Sequence, residues 1–442
     1  MEKRGSFSGK LGFILTAAGS AVGLGNLWRF PYLVAEQGGG IFLLVYLILV
    51  VTFGYSLMVA EIAIGRKTGL SPIGAFRKLG KKYTFIGVLA TVTVLLISTY
   101  YGVIGGWVVK YIAVYLTGQA EAAAGDVYFN NFIAEEFEPI IYLFIFILLN
   151  AVALIGGIKN GVERASKIMM PILLVLSIAI AIYSVTLPGA IEGVKYILIP
   201  DFSRFSADTI ISAMGQMFYS MSLAMGIMIT YGSYMSKKED IESCVKHVEL
   251  FDTSIAILAA FMIIPAIFSF SGGDPEQLNV GAGLMFVTLP KVFNSISGGT
   301  VIGALFFILV LFAALTSMIS IVEVLVSTIC DIFKWNRKAV VVAISIVILL
   351  AGIPYSLGHG IWSFIEIMGY NLLDFVDFIA NNVLLPVTAL SICLAVGFGF
   401  GVKVIADEVK LSSQFKREKV FNVMIKYIAP IFMIIILITN LI

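Results

Sequence analysis

Long apolar stretches separated by short polar segments recur along the whole chain. With about 20 apolar residues needed per bilayer crossing, the pattern predicts spans near 11–35, 41–65, 84–112, 139–157, 167–187, 208–234, 246–270, 299–330, 339–357, 373–400 and 421–441. Two of these eleven carry interruptions that a plain anchor does not need. In the first, Gly19-Ser20-Ala21-Val22-Gly23-Leu24-Gly25-Asn26 sets three glycines and an asparagine inside the apolar run. In the sixth, Gln216 through Gly226 brings amide, hydroxyl and glycine to the same depth. Backbone polar groups inside a membrane must be satisfied, so a broken helix is tolerated there only where protein or a watery cavity surrounds it. Breaks in spans one and six are what two five-span repeats of inverted topology produce, and they point to a solute site near the midplane. The expected architecture is therefore all-α and polytopic. It comprises a first repeat over 1–187, a second over 188–400, and a loop with a last span over 401–442, although no direct self-similarity between the halves is visible.

Composition agrees with a membrane class: 60% of the 442 residues are hydrophobic and 13% charged, with a mean hydropathy of +1.01. A soluble domain or a nucleic-acid partner has no place in such a chain. The net charge of +2 says little, but its distribution says more. With the N-terminus cytoplasmic, 24 of the 29 Lys and Arg fall on inside segments, as the positive-inside rule requires. An odd number of spans then puts the C-terminus outside a bacterial-type cell membrane. The outside segments 188–207 and 271–298 are long enough to fold over an entrance. Cys244, Cys330, Cys393, His247 and His359 are too scattered for a local zinc or disulfide framework. Lys3, Arg4 and Lys10 ahead of an apolar run resemble a signal peptide, but the run continues through Arg29 and Pro31, so the first span is expected to be retained.

The residues themselves carry chemistry. An unwound turn offers carbonyl oxygens that an intact helix keeps bonded, and hard cations want several oxygen ligands. Ala313, Thr316 and Ser317 share one helix face, although the two hydroxyls could equally bond back to their own helix. Arg29 and Asp377 are too costly to leave unpaired near the membrane. Two other classes stand beside a transporter. A channel would use the polar breaks to line a pore, and a membrane enzyme would need a reactive constellation that neither histidine nor any cysteine supplies.

Gly19 to Tyr32, the glycine turn at 38–40, Glu61 with Gly65-Arg66, Tyr100-Tyr101, Gly215-Gln216 with Ser220, Ala313 to Ser317, and Asp374 with Asp377 together resemble the neurotransmitter:sodium symporter family. Those motifs stand in the family's order over about residues 4–400. The chain resembles the family's bacterial amino-acid branch in ending after eleven spans rather than twelve.

The resemblance implies sodium-coupled symport of an amino acid by alternating access, with no catalysis. One sodium would take the carbonyls of Gly19, Val22 and Ala313 and the hydroxyls of Thr316 and Ser317. A second would take the Ala21 carbonyl, Asn26, Ser220, Asp252 and the substrate carboxylate. Tyr101 would donate to that carboxylate beside the backbone of Ala21, Gly23 and Gly25. Ile97, Tyr219, Ser220, Ser222, Met225, Ser317 and Ile321 would line the rest of the pocket. No counter-ion for a charged side chain stands there, and Met225 adapts to varied shapes, so tyrosine, tryptophan or leucine is the expected kind of substrate. Arg29 with Asp377 would form the outer gate, and Arg4, Asp331 and Tyr234 the inner one, with Phe7 where a tryptophan is usual. Asp252 stands where the best-known bacterial member has asparagine, and Ala256 where that member has glutamate. A fixed carboxylate at Asp252 would make chloride unnecessary.

Overall fold

The computed structural model describes residues 5–271 and 282–441. Among these, nine helices are long and apolar enough to cross a membrane: Gly40–Thr68 (span 2), Lys81–Leu116 (span 3), Glu138–Ile155 (span 4), Ile158–Val185 (span 5), Ile241–Ser271 (span 7), Gly299–Phe333 (span 8), Arg337–Leu357 (span 9), Leu372–Gly399 (span 10) and Glu418–Asn440 (span 11). A bent pair, Lys10–Ala21 and Gly25–Glu36, makes a tenth, with 57° between its halves (span 1). The segment expected as the sixth crossing is two helices, Ala207–Ser220 and Ile227–Gly232 (span 6). Each is too short to cross alone, so a count of eleven depends on taking the pair as one broken span. Spans 5 and 7 begin earlier than expected, because the polar residues at their starts, such as Glu163 and Glu242, are satisfied inside the fold.

Local chemistry explains both breaks. Ser206 and Thr209 cap the first half of span 6 reciprocally, each side chain accepting from the other's backbone N–H, a reciprocal arrangement that fixes a helix start. The helix stops at Ser220, and Ser222 and Ala224 then adopt φ of 53° and 61°, a left-handed geometry that costs on the order of 1 to 3 kcal/mol per non-glycine residue. The Ala224 N–H is held by the Glu61 carboxylate of span 2 at 2.6 Å, with Glu61 wholly buried. Span 1 unwinds at Val22, whose backbone is extended.

Burial sorts the helices into layers. The most apolar stretch of span 8 is 78% buried and that of span 3 is 67%, against 33% for spans 9 and 11. Spans 3 and 8 therefore stand beside the broken helices, and spans 9 and 11 face the surroundings. At one end of the bundle a short helix, Leu289–Ser295, and the wide turn before it lie across the top. Phe286 there packs on Tyr111 at 5.0 Å, Phe129 at 5.0 Å, Trp107 at 5.9 Å and Trp28 at 6.3 Å. The Tyr111 hydroxyl donates to the Phe286 carbonyl at 2.6 Å.

Candidate functional site

The two breaks meet at the centre. All eleven residues expected around the solute (Ala21, Gly23, Gly25, Ile97, Tyr101, Tyr219, Ser220, Ser222, Met225, Ser317 and Ile321) line one cavity, together with Ser20, Leu24 and Asn26. Its volume is about 30 Å³, room for on the order of one or two waters, so the walls must part to admit anything larger. Side chains approach the break closely. A Cβ at Gly25 would lie 2.5 Å from the Tyr219 ring, and one at Gly23 2.7 Å from the Ser317 hydroxyl. Both positions thus exclude any residue larger than glycine without displacing a cavity wall.

The backbone of the break is held from three sides. Ser317 of span 8 donates to the carbonyls of Ser20 (3.1 Å) and Val22 (3.2 Å). Ser222 donates to the Ser20 carbonyl at 2.9 Å, and Gln216 to that of Gly25 at 2.9 Å. The Leu24 N–H points at the Tyr101 hydroxyl at 3.5 Å. Thr316 does bond back to its own helix, at Phe312 (2.9 Å) and Ala313 (3.1 Å), whereas Ser317 bridges to span 1. Gly19 packs directly on Thr316. Of the first expected sodium set, the Ser317 hydroxyl thus adjoins the Val22 carbonyl, and the Thr316 hydroxyl the Ala313 carbonyl.

The second set is a buried polar cluster where spans 1, 2, 6 and 7 meet. The Asn26 Nδ2 donates to Asp252 Oδ1 at 2.7 Å and to the Ser220 hydroxyl at 3.0 Å. Ser220 lies 2.8 and 2.9 Å from the two carboxylate oxygens of Asp252, and the Tyr46 hydroxyl is 3.4 Å from Oδ2. None of these groups is more than 2% exposed. Gln216, whose amide nitrogen bonds the Gly25 carbonyl, has its Oε1 buried without a hydrogen-bond partner among the described residues, an orphaned oxygen of the kind a cation satisfies. The Asn26 Oδ1 accepts the Gly23 N–H at 3.0 Å. A cation between Asn26 and Asp252 would replace the amide-to-carboxylate bond and turn that oxygen toward itself.

Arg29 and Asp377, expected to meet above a bound solute, stand apart here. Arg29 and Asp377 form no ion pair within 4.0 Å. Arg29 lies 5.6 Å from the Tyr219 ring centroid, and Asp377 accepts from Asn381 at 2.7 Å. A cavity of about 160 Å³ opens beside Arg29, lined also by Tyr219, Asn381 and other residues of spans 6, 10 and 11. The Asn381 amide also donates to the Tyr100 hydroxyl at 3.0 Å.

At the opposite end, Arg4 lies outside the described residues. Asp331 accepts the Ser71 N–H at 2.8 Å, and Tyr234 donates to Glu323 at 2.8 Å. Phe7 packs edge-on against Phe13, Tyr231 and Tyr234 at 5.6 to 6.1 Å. Ser8 bonds the Glu163 carboxylate with both its N–H and its hydroxyl. These contacts tie the N-terminal segment to spans 5 and 6.

Three groups here had no role assigned from the sequence. Glu323, wholly buried in span 8, takes a two-toothed grip from Arg337 at 2.9 and 2.5 Å. Arg66 at the end of span 2 holds Glu408 at 3.0 Å and the Glu239 carbonyl at 2.6 Å. Glu61 holds the span 6 break. The signal was present in each case: a carboxylate or guanidinium in or at the end of an apolar run is costly unless it serves something.

Comparison with known proteins follows the same lines. A family model described as the sodium:neurotransmitter symporter family matches residues 4–138 and 128–442. An uncharacterized sodium-dependent transporter of Haemophilus influenzae is 34% identical over 463 residues, covering 100% of this chain and 99% of that protein. Another from Methanocaldococcus jannaschii is 35% identical, covering 97% and 88%. The crystal structure of MhsT in complex with L-phenylalanine superposes with a TM-score of 0.89 at 39% identity, over 99% of this chain and 100% of that one. With both breaks, the helical membrane fold and the sequence in agreement, this chain belongs to the sodium:neurotransmitter symporter family, whose members are sodium-coupled transporters and not enzymes.

Proposed function

We propose that the protein is a symporter of large hydrophobic or aromatic L-amino acids, driven by two sodium ions and working by alternating access. The observation that carries this reading is the cavity between the two breaks. Its walls are mostly apolar, Ile97, Met225 and Ile321 among them, and the backbone of the first break and the Asn26–Ser220–Asp252 cluster adjoin it. An amino-acid carboxylate there would face both the Tyr101 hydroxyl and the cation held by Asp252. One group would then stabilise the other, and reciprocity makes each tighten the other by the same factor. The phenylalanine bound in the MhsT structure supports the choice of substrate class.

The carbonyls of Gly19, Val22 and Ala313 with Thr316 and Ser317 would hold the first sodium. The Ala21 carbonyl with Asn26, Ser220 and Asp252 would hold the second, and the Asp252 carboxylate would make chloride unnecessary. Arg29 and Asp377 would close together over a bound solute, while Tyr234, Asp331, Arg4 and the Glu323–Arg337 pair would part to release it. Residues 1–187 and 188–400 are taken as the inverted repeats, with the basic face and the N-terminus cytoplasmic. The test is uptake into liposomes under an imposed sodium gradient with a panel of labelled amino acids. Saturable, sodium-driven accumulation of tyrosine, tryptophan, phenylalanine or leucine is expected. Competition by glutamate as strong as that by tyrosine would overturn the substrate class.

A further inference from the structure

Lys82, Lys403 and Lys426 are among several lysines on the basic face that stand outside every network described above. Lys82 lies in the first turn of span 3, Lys403 lies in the first turn of the helix Val402–Val409, and Lys426 sits two turns inside span 11. Among the described residues none of them has an ion-pair partner within 4.0 Å. Asp407, one turn on from Lys403, does not pair with it. By contrast, Arg66, Lys237, Lys246, Arg337 and Lys410 on the same face each hold a carboxylate.

The contacts gather two of these lysines at the end of span 10, and chain order brings the third. The Lys82 Nζ stands 5.0 Å over the Tyr83 ring, and that ring packs edge-on against Phe400 at 5.5 Å. The Tyr83 hydroxyl occupies the space a side chain at Gly399 would need, and the Lys426 Cγ lies 3.5 Å from a Cβ position at Gly397. Tyr83 and Lys426 thus flank one glycine turn, and Lys403 follows it by four residues. Outward from this junction the surface is apolar: Phe85 of span 3, Phe398 of span 10 and Tyr427 of span 11 are 53%, 62% and 59% exposed.

We propose that the junction of spans 3, 10 and 11 is a binding site for an anionic phospholipid. The headgroup phosphate is held among Lys82, Lys403 and Lys426, and the acyl chains run along the apolar faces below. A lysine two turns inside a span is costly unless its head reaches the interface or a counter-charge. An ammonium is a compact point charge suited to phosphate, and basic pockets between spans are where anionic headgroups bind. The adjoining exposed aromatic and aliphatic surface favours a lipid over a free anion, which would leave that surface unused.

The experiment is native mass spectrometry of the full chain, titrated in detergent with phosphatidylglycerol or with phosphatidylcholine of the same chains. At about fivefold per lysine, the triple variant K82Q/K403Q/K426Q should lose on the order of 100-fold in phosphatidylglycerol affinity. Its affinity for phosphatidylcholine should not change. K82R/K403R/K426R should retain binding, as should K159Q/K334Q/K338Q, which removes three exposed lysines elsewhere on the same face. Equal retention of the two lipids by the unmodified protein would overturn the proposal. So would equal loss in the two glutamine triples, or displacement of the lipid by millimolar inorganic phosphate, which marks a bare anion site.

Discussion

Replacing Glu323 with glutamine tests whether the buried network at the Glu323 end of the bundle holds that end shut. Arg337 reaches both carboxylate oxygens, at 2.9 and 2.5 Å, and Tyr234 reaches one of them at 2.8 Å. Glutamine keeps the shape and one acceptor for Tyr234, but it loses the charge and turns an N–H₂ toward the guanidinium. A hydrogen bond to a charged group contributes about 1.5 to 3 kcal/mol, and severing a wholly buried pair costs more. The Arg337 side chain is 26% exposed, so water compensates part of the loss and the lower range applies. The closed state should therefore lose ~1.5 to 3 kcal/mol, a shift of ~10- to 150-fold toward opening at this end. Cys330, half-buried seven residues along span 8, reports on it directly. In saturating sodium its labelling by a membrane-impermeant maleimide should accelerate by about that factor, and sodium affinity should fall. Unchanged labelling together with unchanged sodium affinity would show that the pair is only a structural rivet.

Asp252→Asn should weaken sodium binding about tenfold or more, since it removes the charge that Asn26 and Ser220 face. Uptake by the unmodified protein should proceed without chloride, whereas chloride should partly restore the variant; strict chloride dependence of the unmodified protein would refute the assignment. Gly25→Ala places a methyl 2.5 Å from the Tyr219 ring and should cost about 1 to 3 kcal/mol of amino-acid affinity, with little change in sodium binding measured alone. His359, between spans 9 and 10, packs on Trp107 at 5.5 Å. Burial holds its imidazole below the ordinary value of 6.5, Asp374 offsetting this in part. The stability it contributes is therefore present above pH 6.5 and lost as pH falls through the lower folded value. The thermal midpoint should drop with acid in the unmodified protein by more than in His359→Gln.

Much of the site was legible because the breaks violate the rule for a membrane span. Glycines and an asparagine at mid-depth demand a reason, and the residues named around them converge on one cavity. The sixth span was legible as broken but not as two short helices, because the left-handed turns at Ser222 and Ala224 depend on a tertiary contact from Glu61 that local sequence does not announce. Pairings were the weakest part. Arg29 and Asp377 are read as a gate because both are charges in costly places, but the bond from Asn381 to the carboxylate, four residues along the same helix, has no mark in the sequence. Glu323 went unassigned because its partner lies beyond the end of span 8, where only the packing of spans 8 and 9 brings Arg337 back to it.

The central claim is that ion and amino acid share one site at the break of span 1. Equilibrium binding of labelled L-phenylalanine to the purified protein, with and without sodium, tests it most directly when paired with sodium binding with and without phenylalanine. Sodium should tighten phenylalanine binding by a large factor, and phenylalanine should tighten sodium binding by the same factor. Phenylalanine affinity independent of sodium would contradict it.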